Sequence, residues 1–147
     1  MSADEVSFIL DSESLFKIRV IEALGDTKYN MIKSQNKYCS VDFMLLNQAN
    51  LLSVLIEHKQ KNIDADKYDN FFIGYSKIVT LSTFYNKPLI LVFECLNNEL
   101  YFCEFDDEFV KRPTSLVRGS RVILIDKSEC GVGFDKLLER IKEILYL

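Results

Sequence analysis

The chain has no tryptophan, one histidine, two prolines and five glycines in 147 residues. A single histidine, His58, rules out any site built on a histidine pair, HExxH metal centres included. So little Pro and Gly leaves no stretch that reads as a linker, and no repeat or low-complexity block marks a boundary. Cysteine is sparse as well: Cys39, Cys95, Cys103 and Cys130 show no CxxC spacing, and three of them fall in apparent strands. That predicts reduced, buried thiols rather than a zinc site or a disulfide framework. No apolar run approaches the roughly 18–20 residues of a membrane span, and the opening "MSADEVSFIL" is acidic where a secretion signal is basic. The expectation is an intracellular protein with no membrane segment. A net charge of −4 supplies no global basic footprint for nucleic acid. Local strips do exist: Lys28, Lys33 and Lys37 stand without an acid among them, and residues 111–127 carry five bases against Asp126 alone.

What is present is core. A hydrophobic fraction of 48% with 27% charged residues and a length near the commonest domain size predict one globular unit. Phe16, Val20, Ala23 and Leu24 make a helical stripe over Ser12 to Leu24, which Asp11 or Ser12 can cap and Gly25 can end. Strands follow over Tyr29 to Ser34, Lys37 to Leu46 and Leu51 to Gln60, the last two joined by a turn at Asn47–Asn50. A second helix is predicted near Phe71 to Tyr85, on a stripe of Phe71, Tyr75, Ile78, Val79 and Ser82. "LILVFECL" reads as a strand covered on both faces, "ELYFCEF" as its hairpin partner and Arg121 to Ile125 as a short further strand. "FDKLLERIKEIL" closes the chain as an amphipathic helix. This order predicts an α/β sandwich with a mixed central sheet flanked by helices.

Charges interrupt the apolar pattern at one place, "SVDFMLLNQANLLSVLIEHKQKN". Asp42 lies inside one strand, and Glu57 and Lys59 end the next. Side chains alternate along a strand, so Glu57 and Lys59 share a face and His58 takes the other. With the turn centred on Gln48-Ala49, Asp42 falls opposite Leu55, and Glu57 becomes its diagonal neighbour, about 7–8 Å away by Cα. Two carboxylates so placed repel unless a cation stands between them, and a divalent metal or a lysine meets that need. Glu13 is the acid of the first helix that faces inward, about 60° from Phe16 and 20° from Val20. On the second helix Tyr75 lies on the inner stripe, where a core role is expected, and Lys77 is read as solvated on the opposite face. Arg112, Arg118 and Arg121 read as surface residues able to meet phosphate.

A helix with Glu13, a strand with Asp42, a strand with Glu57-His58-Lys59, then a helix and a strand pair: this arrangement resembles the PD-(D/E)xK nuclease superfamily, and most of all the archaeal-type Holliday junction resolvases. The resemblance spans roughly Ser12 to Glu104, with residues 121–147 as a C-terminal strand and helix beyond it. It implies a single-domain, restriction-endonuclease-like fold and a metal-dependent endonuclease acting on DNA, branched DNA included. Asp42, Glu57 and the His58 backbone carbonyl would bind Mg²⁺, or Mn²⁺ in its place, and Glu13 would reach the metal directly or through water. Hard oxygen ligands suit those ions. Lys59 would be catalytic, as would the acids Glu13, Asp42 and Glu57. Ser34 stands where the resolvases place a serine and, with Lys33, Lys61 and Tyr75, would meet nucleic acid. The same resemblance implies a homodimer. Two alternatives stay open: an RNA endonuclease with the same site, and a nuclease-fold binding or assembly subunit without activity.

Overall fold

The computed structural model describes residues 12–25, 30–33, 42–46, 52–60, 70–82, 88–96 and 99–145. Its first element is helix α1 (Ser12–Leu24), which buries Phe16 and Val20 one turn apart. Gly25 ends it at φ +59, a left-handed conformation that costs a residue without Cβ little. Of the expected stripe, Ala23 is exposed, because the apolar face runs along Phe16 and Val20 with Ile21 and Leu24 only at its margin.

Six strands make the central sheet in the order β1 (Asn30–Lys33), β2 (Phe43–Leu46), β3 (Leu52–Gln60), β5 (Leu89–Glu94), β6 (Leu100–Phe105) and β9 (Gly131–Val132). β3 and β5 run parallel, and every other neighbouring pair is antiparallel. The sheet is therefore mixed, as expected. β5 is buried along its length until Glu94, as a central strand covered on both faces must be.

The sequence reading fails between Phe71 and Gly74. Asn70–Gly74 is a strand, β4, and the helix, α2, spans Tyr75–Leu81 among the described residues. Phe71 and Tyr75 mimic a helical repeat by being four apart, but Phe71 and Ile73 are buried while Phe72 is 44% exposed, which is the alternation of a strand. β4 does not join the central sheet. It pairs with β8 (Ser120–Asp126), which pairs with β7 (Ser115–Val117), in a separate three-stranded sheet. That second sheet was not expected, since its strands are 46 or more residues apart in part and β7 carries no apolar alternation of its own. Helix α3 (Phe134–Leu145) closes the chain with Leu137, Leu138 and Ile141 buried.

Two apolar cores result. Leu55, Leu89, Leu91, Phe93, Cys103 and Phe105 of the central sheet face Phe71, Ile73, Ile123 and Ile125 of the small sheet and Ile78 and Leu81 of α2. On the other side Phe43, Val54, Ile56, Ile90, Val92 and Phe102 face Phe16 and Val20 of α1 and Leu137 and Ile141 of α3. Burying this much apolar surface on both faces is what holds the three layers together. Among the described residues, no helix is long and apolar enough to cross a membrane.

Candidate active site

The register of the hairpin is Phe43↔Ile56, Met44↔Leu55 and Leu45↔Val54, with an irregularity between Leu45 and Leu46. Continued by one residue, it sets Asp42 opposite Glu57 rather than Leu55. The expected pairing is thus displaced by two residues, one of them at the irregularity between Leu45 and Leu46. A shift of two keeps every side chain on its face. Asp42 and Glu57 consequently remain on one side, as direct neighbours instead of diagonal ones.

Glu57 is 1% exposed, on the face of β3 that looks toward α2. Neither of its carboxyl oxygens has a hydrogen-bond partner. Two ammonium groups lie at ion-pair distance instead, Lys77 Nζ at 3.3 Å and Lys59 Nζ at 3.5 Å from Oε1. Burial, and after it the charge of Asp42, pushes the Glu57 carboxyl up from 4.5 to about 7 against the pull of Lys77 and then Lys59. Asp42 is anchored differently. Its Oδ2 accepts the His58 backbone N–H at 2.8 Å. A strand residue projects its N–H and C=O to the same side, so the His58 carbonyl also points toward the Asp42 edge.

Lys77 is the residue the sequence reading misplaced. With α2 starting at Tyr75, Lys77 sits one turn before the buried Leu81, about 40° away around the helix, and its side chain is 27% exposed against Glu57. The signal was available as that Lys77–Leu81 spacing, once the helix is begun at Tyr75. Tyr75 is half-buried against the core that surrounds α2, as expected, and Arg121 stacks over its ring at 5.7 Å. Arg112 is engaged within the protein: its guanidinium forms a bidentate pair with Glu129. Of the other candidates, Ser34 and Lys61 lie outside the described residues, as do the side chains of Glu13 and Lys33. α1, the helix that carries Glu13, packs on the opposite face of the sheet, through Phe16 and Val20.

The His58 imidazole points to that opposite face, away from Glu57. It is 2% exposed, its Nε2 pairs with Glu94 Oε1 at 2.9 Å, and its ring stacks on Phe16 at 4.7 Å. Arg19 stands 3.9 Å from the other Glu94 oxygen and over the Phe134 ring. These contacts tie α1 and α3 to the two central strands and leave the His58 side chain no part in the carboxylate cluster.

Among the described residues no three His, Cys, Asp or Glu side chains gather closely enough to hold a metal ion. The donor set on offer is a carboxylate pair and a backbone carbonyl, all hard oxygen. The buried Glu57 carboxylate, met only by ammoniums on Oε1, is the observation that fits a cation.

No family model matches the chain, and no curated protein does. Among solved structures, the chain is similar to a Holliday junction resolvase from the archaeal hyperthermophile Archaeoglobus fulgidus, at a TM-score of 0.50 and 12% identity, with 88% of this chain and 97% of that one covered. The fold is restriction-endonuclease-like, and the likeness to archaeal junction resolvases drawn from the hairpin motif is borne out at the level of the fold.

Proposed function

We propose that this protein is a divalent-metal-dependent endonuclease that hydrolyses DNA phosphodiester bonds, with branched DNA as its preferred substrate and a homodimer as its working form. One observation carries the reading: a buried carboxylate, Glu57, lacks any hydrogen-bond partner, faces Asp42 across the hairpin and is flanked by two ammonium groups, in a resolvase-like fold. Asp42, Glu57 and the His58 carbonyl would hold Mg²⁺ or Mn²⁺. A bound ion of this kind supplies Lewis acidity toward the scissile phosphate and toward a water molecule.

The protein's own groups do the rest. Lys59, with 41% of its side chain exposed, is the cation able to reach out to a substrate; it orients the attacking water and offsets charge gathering on the phosphate oxygens. Lys77, more enclosed, holds Glu57 in place and favours its ionised form. The His58 N–H fixes Asp42, so the strand itself sets the spacing of the two acids.

The same two ammoniums favour a second reading, a nuclease-fold binding or assembly subunit in which Lys59 and Lys77 stand in for the ion. Cleavage assays separate the two. Branched, flapped and linear DNA and RNA are incubated with the protein in Mg²⁺, Mn²⁺ or EDTA, beside Asp42→Ala and Lys59→Ala. Metal-dependent cutting that both variants lose supports the enzyme, and cutting of RNA alone reassigns its substrate. No cutting of any substrate together with no Mn²⁺ binding sinks it.

A further inference from the structure

A second cluster of reactive side chains lies away from these carboxylates. β9 pairs with β6 through Tyr101↔Val132 and Phe102↔Gly131, and one further step in that register sets Cys103 against Cys130. The kind of pair matters. Gly133 N–H donates to Leu100 C=O at 2.8 Å, so Leu100 and Gly133 form a hydrogen-bonded pair. Antiparallel pairs alternate, which makes Phe102/Gly131 hydrogen-bonded and Cys103/Cys130 non-hydrogen-bonded, the closer kind, with opposed Cα atoms about 4.5 Å apart. In agreement, the Cys130 N–H is taken by Lys127 C=O at 3.0 Å. A separation of about 4.5 Å lies within the span a disulfide bridges.

Gly131 leaves the Phe102 ring its place here. A Cβ on it would lie 2.4 Å from Cζ of Phe102, so a larger residue would have to displace the ring that covers β9. Both thiols are free and meet in the same core, and the Cys130 S–H donates to the Asp126 C=O at 3.7 Å. Cys103 is buried and Cys130 half-buried, so a solute meets Cys130 first. Proximity to the other thiol lowers the pKa of Cys130 and, with burial, raises that of Cys103. Cys130, the thiol nearer solvent, is the nucleophile once it gives up its proton.

We propose that Cys103 and Cys130 are a redox modification site, closing to a reversible intramolecular disulfide when the protein meets a hydroperoxide. The Cys130 thiolate attacks the O–O bond, forming an S–O bond and releasing one water once the leaving oxygen is protonated. The Cys103 sulfur then attacks the sulfenic sulfur, the S–S bond forms, and the second water leaves. Two thiols lose two hydrogens and two electrons, and hydrogen peroxide is reduced to two waters. The bond would fasten β9, and with it the start of α3 at Phe134, to β6. None of this depends on the nuclease reading.

The test uses the full chain. Protein treated with hydrogen peroxide is alkylated and digested at lysine and glutamate, Glu99 separating Cys95 from Cys103. The expected product joins the Cys103 and Cys130 peptides, the intact chain is lighter by about 2 Da, the loss of two hydrogens, and dithiothreitol restores both. Phenylarsine oxide, which bridges paired thiols, should bind the reduced protein in one equivalent. Cys130→Ser, at a half-buried position that tolerates a hydroxyl, should lose both the bridged peptide and the arsenical. Recovery of Cys103 and Cys130 as alkylated thiols after peroxide treatment, or a bridge joining either to Cys39 or Cys95 instead, would overturn the proposal.

Discussion

Glu57 and His58 are adjacent in the chain and almost equally buried, at 1% and 2% exposure, yet the two faces of β3 treat them differently. The helix-covered face gives the imidazole a partner in Glu94 and a stacked ring in Phe16, and leaves only Nδ1 without a bond. The face toward α2 gives the carboxylate two ammoniums at ion-pair distance on Oε1 and nothing on Oε2 among the described residues. A buried polar group with bonds and a fitted ring is a structural member. One held only by ion-pair contacts costs stability as it stands.

The comparison breaks most sharply at Glu57. Glu57→Gln and Asp42→Asn should each reduce DNA cleavage by about 10³-fold, read in single-turnover assays. Stability should move the other way. Glu57 titrates near 7 against an ordinary 4.5, so its contribution to folding is fully present below pH 4.5 and is lost as pH rises through 7, a swing of about 3 kcal/mol. Urea unfolding from pH 4.5 to 8, wild type against Glu57→Gln, should therefore show a gap that shifts in favour of the variant as pH rises. Divalent-ion binding has the opposite sign, since it requires the ionised form, and Mn²⁺ affinity should weaken as pH falls through 7. A pH-independent gap between the two proteins would remove Glu57 as an under-satisfied carboxylate.

How far this was legible in the sequence follows from the range of each signal. Strand alternation is local, so β3, the opposite directions of Glu57 and His58, and the face shared by Glu57 and Lys59 could be read directly. The Asp42–Glu57 pairing survived an error of two residues because side-chain direction repeats every two. Lys77 could not be placed while Phe71 and Tyr75 passed for one helical stripe. Only the pairing of β4 with β8, some 50 positions on, makes Phe71 a strand residue and moves the helix start to Tyr75. The His58–Glu94 bond was equally out of reach, since it depends on β3 and β5 lying parallel in the register His58↔Val92.

On the helix-covered face the expected losses are in stability. His58→Phe keeps the stack on Phe16 but removes the hydrogen bond to Glu94 Oε1, and should cost about 1–3 kcal/mol in urea unfolding. Mn²⁺ binding should change far less than in Glu57→Gln, because the backbone N–H and carbonyl of residue 58 remain. Equal loss of metal binding in the two variants would mean that the faces are not separable.

The finest distinction is between the two lysines, and here the expected changes are fractions of those above. Both ammoniums hold the Glu57 carboxyl down, Lys77 more than Lys59. The difference follows from solvent: Lys77 is 27% exposed at 3.3 Å, Lys59 41% exposed at 3.5 Å, and a charge nearer water is screened more. Lys77→Met should therefore raise the Glu57 pKa above 7 by more than Lys59→Met does, as read by carboxyl ¹³C chemical shifts over a pH titration. Cleavage should rank the pair in reverse, with Lys59→Met the more damaging, because the exposed ammonium is the one that can meet a phosphate. A single lysine dominating both measurements would collapse the division of labour between a cation that tunes the acid and a cation that serves the substrate.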